Sequence, residues 1–137
     1  MWIFTDTGFV SAVRKPEFPD LITVRARDRE SLDAIASKAS VEIKRSPFGD
    51  YPFRVFVSDE VFNEWILDRT KQLNYKNFKS QVAKTRGSRF ASALNDVWLA
   101  MLAVEPKDSR EMMFDDEGQL MRHSDDLSGG KCMKEKG

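Results

Sequence analysis

The chain has 137 residues, 41% of them hydrophobic and 32% charged, with 22 Lys and Arg balanced by 22 Asp and Glu. That length predicts one domain whose core needs no disulfide or metal, and the single Cys excludes a disulfide framework. The only His and Cys are His123 and Cys132, so residues 1–122 offer no imidazole base, no thiolate nucleophile and no Cys/His zinc site.

Trp2-Ile3-Phe4-Thr5 reads as a strand, Asp6-Thr7-Gly8 as a turn, and residues 9–13 as the returning strand. Pro16-Glu17-Phe18-Pro19-Asp20 reads as a loop, because proline cannot extend a ladder. Residues 21–27 form a third strand, with Ile22, Val24 and Ala26 on one face and Thr23, Arg25 and Arg27 on the other. Asp28 then stands where a helix N-cap is wanted, and Leu32, Ile35, Ala36 and Ala39 recur at helical spacing over 29–39. Residues 41–45 and 53–57 alternate as a fourth and fifth strand that pair as a hairpin, separated by the loop Ser46-Pro47-Phe48-Gly49-Asp50.

Ser58 caps the next helix, with Asp59 and Glu60 in its first turn. Phe62, Trp65, Ile66, Arg69 and Leu73 follow the 3.6-residue period, which predicts a helix over 59–73. Residues 75–84 form a further short helix, with Tyr75, Phe78 and Val82 on one face. Residues 89–104 carry a nearly two-sided apolar stripe and are expected to be mostly buried. Pro106 closes the fold, and residues 106–137 read as a flexible polar and acidic tail in which Met112, Met113, Phe114, Leu120 and Met121 are the sizeable apolar residues.

The order β-β-β-α-β-β-α-α-α predicts an α+β domain over 1–105: an antiparallel sheet of about five strands with the C-terminal helices packed on one face. The opening residues show no basic and apolar leader pattern, and no apolar run approaches the ~20 residues of a membrane span. A cytoplasmic protein without a membrane partner is expected. Residues 1–105 carry 16 Lys and Arg against 14 Asp and Glu, an excess too mild to name a partner.

Met-Trp-Ile-Phe-Thr-x-x-Gly-Phe-Val-Ser-Ala-Val over 1–13, Leu-Ile-Thr-Val-Arg-Ala-Arg-x-Arg over 21–29 and Tyr-Lys-Asn-Phe-Lys over 75–79 resemble a group of short bacterial and phage proteins with no assigned activity. The resemblance spans residues 1–104. It implies one compact cytosolic domain of mobile-element type and transfers no catalytic or binding residue.

Two groups of cations are candidate sites. Between Arg69 and Asn95 no acidic residue occurs, while Lys71, Lys76, Lys79, Lys84, Arg86 and Arg89 alternate with Tyr75 and Phe78. Cations with aromatics are what phosphate and base stacking require. The plainer reading is a solvated helix face whose aromatics point into the core, and an acidic protein partner is a third. The second group is Arg25, Arg27 and Arg29, of which Arg25 and Arg27 lie on one strand face. Arginine suits carboxylate and phosphate through its planar fork, whereas a solvent-facing sheet surface with charge pairs is the plainer reading. Trp2 and Phe4, with Phe9 and Val13 beside them, read first as core aromatics under the helices and second as an exposed patch.

The carboxylates do not form a reaction centre. Asp28, Glu30, Asp59 and Glu60 serve helix starts, and Asp115-Asp116-Glu117 and Asp125-Asp126 lie in the tail. No phosphate-loop glycine pattern is present. The expectation is a non-enzymatic binding protein with no cofactor and no metal, most simply contacting another protein. Nucleic-acid binding through residues 69–89 is the alternative.

Overall fold

The computed structural model describes residues 1–106. The tail expectation, His123, Cys132 and the acidic clusters of the tail lie outside the described residues. Five strands form: β1 (Trp2–Thr5), β2 (Gly8–Lys15), β3 (Phe18–Ala26), β4 (Lys44–Arg45) and β5 (Phe53–Val57). They make one antiparallel sheet in the order β1-β2-β3-β5-β4. Four helices follow the breaks: α1 (Asp33–Ala39), α2 (Asp59–Lys71), α3 (Phe78–Arg86) and α4 (Ser88–Met101). This is the α+β class that the element order predicts.

Strand parity builds the core. Val10 and Ala12 of β2, Val24 and Ala26 of β3, and Val55 and Val57 of β5 are buried on one face. Leu32, Ile35 and Ala36 around α1, and Phe62 and Trp65 of α2, close over them. Each such large side chain contributes about 1.5–3 kcal/mol by leaving water. The helix starts are capped by the residues expected. Asp28 Oδ1 accepts from the Ser31 amide at 2.9 Å, and Ser58 Oγ accepts from the Val61 amide at 3.4 Å. Asn77 Oδ1 does the same for Ser80 at 2.9 Å, so α3 starts at Phe78 and Tyr75 stays in the preceding loop.

Four local readings are corrected. β3 begins at Phe18, inside the stretch expected to be a loop, because the ladder shifts register between Arg14 and Lys15 and leaves Pro19 out of the pairing; proline is tolerated at such an irregularity. β4 is cut to Lys44–Arg45. The helix expected over 29–39 opens with a 3-10 turn, Glu30–Leu32. In α4 only Leu94 is buried, whereas Val97 and Trp98 are 40% and 52% exposed. A stripe that runs round two sides of a helix exceeds what a single packing surface covers.

The chain divides into two units, residues 1–97 and 98–137. The first holds the sheet, α1–α3 and the first ten residues of α4. Of the second, the described part is the end of α4 and the 3-10 turn Leu102–Val104, with Met101 and Val104 exposed.

Candidate functional site

The sheet face turned away from α1 and α2 carries the alternate residues of every strand. Register places Trp2 opposite Ser11, Ser11 opposite Arg25, Arg25 opposite Arg54, and Arg54 opposite Lys44. One row across all five strands therefore reads Trp-Ser-Arg-Arg-Lys. Like charges directly opposite one another repel. Nothing acidic relieves them from within the ladder, since no position paired in it is Asp or Glu.

The arginines of this face are held, but among the described residues not by carboxylates. Arg25 Nη2 donates to Ser11 Oγ at 2.9 Å, Arg54 Nη2 to the Tyr51 carbonyl at 3.3 Å, and Arg27 Nη1 to the Asp50 carbonyl at 3.0 Å. The Arg25 and Arg27 guanidiniums both lie over the Tyr51 ring, 4.7 and 5.2 Å from its centre. Such contacts orient a cation without neutralising it. Arg25 Nε, Arg54 Nε and Thr23 Oγ1 are shut from solvent and make no hydrogen bond among the described residues. Lys44 Nζ lies 5.5 Å from the Phe56 ring, and Phe18 packs on Phe56 with centres 4.8 Å apart.

Beside the cation row the face becomes apolar. Phe4 stacks on Phe9 at 4.5 Å, and Trp2 meets Phe9 edge-on at 5.6 Å. With Tyr51, Arg27, Asp28 and the Phe90–Val97 part of α4 they line a cleft of about 400 Å³. Trp2 is 68% exposed, which corrects its reading as a core residue under the helices. A second groove, of about 200 Å³, lies on the other side of β1 between Ile3 and Thr5 and the end of α2, with Ile66, Arg69 and Leu73 along it.

The basic stretch 69–89 does not act as one group. Arg86 is turned inward, its side chain 7% exposed, and binds Asp28 at 2.8 Å, Glu30 at 3.0 Å and the Thr7 carbonyl at 2.6 Å. It also lies 4.2 Å over the Phe90 ring. Its neighbour Thr85 donates to the Asp6 carbonyl, so the end of α3 is tied to the β1–β2 turn. Lys71, Lys76, Lys84 and Arg89 are exposed on different elements, and Lys79 donates to Asn95 at 2.8 Å. Lys79 and Lys84 are five residues apart on α3, roughly 140° round its axis at 3.6 residues per turn. Tyr75 and Phe78 are half-buried against each other, with centres 6.4 Å apart. Burial, and to a lesser degree the Asp6 carboxylate, raise the Tyr75 hydroxyl above its ordinary pKa.

Buried Tyr51, half-buried Arg54 and Phe56, and exposed Lys44 are the residues of this face that motif reading passes over. The last three do carry a signal, since they alternate with residues of the buried face. Tyr51 carries none, since it follows a glycine-containing loop and is fixed by residues distant in the chain, Phe9 at 6.4 Å between ring centres and the arginines over its ring. Among the described residues no group of three or more His, Cys, Asp or Glu is placed to hold a metal ion. No described helix is long and apolar enough to cross a membrane. No protein-family model, curated protein or solved structure matches the chain.

Proposed function

We propose that this is a non-enzymatic cytoplasmic binding protein that holds another protein on the second face of its sheet. The row Arg25-Arg54-Lys44, with no carboxylate in the ladder and an aromatic cleft at its end, is the observation that carries this reading. Such a surface suits a segment that brings carboxylates to the arginines and a large apolar side chain to the cleft. The resemblance to short phage proteins agrees with an accessory protein acting on a host factor. Binding, rather than turnover, agrees with a body that has no His or Cys and whose carboxylates serve caps and ion pairs.

The test is a pull-down from the native host with nuclease-treated lysate, using the wild-type chain, Trp2→Ala and Arg27→Glu. A protein retained at about 1:1 by the wild type is expected. Trp2→Ala should weaken that complex by about 2 kcal/mol, as for an aromatic anchor, and Arg27→Glu should slow association and reduce its salt dependence. Retention of no stoichiometric protein, or equal retention by all three chains, overturns the proposal. A second reading rests on the same face: exposed Trp2 beside arginines is also what single-stranded nucleic acid stacks on. Material lost on nuclease treatment would favour it.

A further inference from the structure

β1 stands at the end of the strand order, and among the described residues no strand pairs with its outer side. The Met1 ammonium donates to the Ala12 carbonyl at 2.8 Å and the Ala12 amide donates back to Met1 at 2.8 Å. In an antiparallel ladder hydrogen-bonded pairs alternate with non-bonded ones. Ile3 and Thr5 therefore bond inward to β2, and Trp2 and Phe4 turn their N–H and C=O groups outward. None of the four β1 residues is buried. The two grooves lie on opposite sides of this strand: the aromatic cleft at Trp2 and Phe4, the smaller groove at Ile3 and Thr5.

We infer that the outer edge of β1 takes an extended segment of the partner protein as a sixth strand. This rests on the proposed protein-binding role and specifies its mode. An added strand bonds to Trp2 and Phe4 through its backbone and sends alternate side chains to opposite faces. One set enters the aromatic cleft and the other the groove beside Ile66 and Leu73. Arg27 borders the first, beside an Asp28 already paired to Arg86, whereas Arg69 shares the second with Asp6, so the segment alternates apolar residues and carries an acidic residue on the cleft side. A slender strand is the occupant, rather than a second copy, because helical residues line both grooves: α4 on one side and α2 on the other.

The probe is a displayed library of random dodecapeptides selected on the immobilised full chain. Selected peptides show apolar residues at i, i+2 and i+4 with an acidic neighbour. A selected peptide, added to the chain, slows hydrogen exchange of the Phe4 amide at least tenfold. It binds Trp2→Pro at least tenfold more weakly than Trp2→Ala, because proline removes the outward amide while alanine keeps it. The Trp2 amide makes no bond to β2, so this proline is of the kind that edge strands accept, and the exchange arm on the wild-type chain holds whatever the variant does. Peptides with helical i, i+3, i+4 spacing, or equal binding to the proline and alanine variants, overturn strand addition and leave the face-binding role standing. So does failure to select any peptide. Peptides indifferent to both Trp2→Ala and Arg27→Glu overturn the role as well. A chain that dimerises through β1, and becomes monomeric as Trp2→Pro, overturns the peptide partner in favour of a second copy.

Discussion

Gly8 and Ser31 meet where the β1–β2 turn passes under the 3-10 turn before α1. A Cβ built on Gly8 falls 2.3 Å from Ser31 Oγ and 2.8 Å from the Ser31 Cα, which is backbone and cannot swing aside. Ser31 Oγ is itself engaged, donating to Asp28 Oδ2 at 2.8 Å and accepting from the Phe9 amide at 3.2 Å. Gly8→Ala therefore forces the turn off the helix and breaks that small network. The expected cost is about 1–3 kcal/mol, the range for overpacking a closed site. It is measured as a fall in the urea midpoint at unchanged m-value. The alternating pattern shows a turn glycine at this position, whereas the reason no side chain fits is 23 residues away and leaves no local trace.

Element by element, what was legible follows from how local the cause is. α2 is legible nearly to its ends because its period, its Ser58 cap and its acidic first turn are all written within a dozen residues. β1 and β5 are legible to the residue because alternation and flanking turns bound them. Residues 41–43 alternate as well, but only Lys44 and Arg45 find a ladder partner, and pairing is not a local property. The same limit applies to the site. Alternation alone puts Arg25 and Arg27 on one face, whereas the Arg25–Arg54–Lys44 row needs the strand order. Arg86 looks like a surface cation in the sequence because its partners, Thr7 and Asp28, are far away in the chain. Helix-to-helix contact adds a testable pH effect. Lys38 of α1 bridges Asp68 at 2.9 Å and Glu64 at 3.3 Å on α2. The hydrogen bond to Lys38, more than its charge, holds the Asp68 carboxyl below the usual carboxylate range. A depressed carboxylate stabilises the fold above its unfolded pKa, and that contribution is lost as pH falls through the folded value. Asp68→Asn should therefore show a smaller drop in Tm than the wild type between about pH 5 and pH 2 and little difference in slope near neutrality. An identical acid arm would show that the bridge is not maintained in solution.

On the scale of the whole molecule, the sheet is knitted by short connections and the end of α3 by long-range ties. β1, β2 and β3 pair in sequence, and β5 joins β3 after α1. By contrast, Arg86 reaches Thr7 across 79 residues and Asp28 across 58. Breaking this tie leaves Asp28 and Glu30 without their cation, but their side chains are 39% and 63% exposed and regain water. Arg86→Ala should accordingly cost about 2–3 kcal/mol, less than a fully buried pair. α3 buries only Val82 and α4 only Leu94, and regions with few buried apolar residues are the first to open. α3 and the first turns of α4 should then unfold as a unit while the sheet stays intact. Their amides should exchange ahead of those of β2, β3 and β5, and Arg86→Ala should speed exchange over residues 78–97 far more than in the strands. Uniform exchange over both regions would refute it. Because Phe90, Ala93, Leu94 and Val97 of α4 are one wall of the aromatic cleft, the same opening dissolves that wall, so the cleft beside Trp2 and Phe9 lasts only as long as α3 and α4 stay folded.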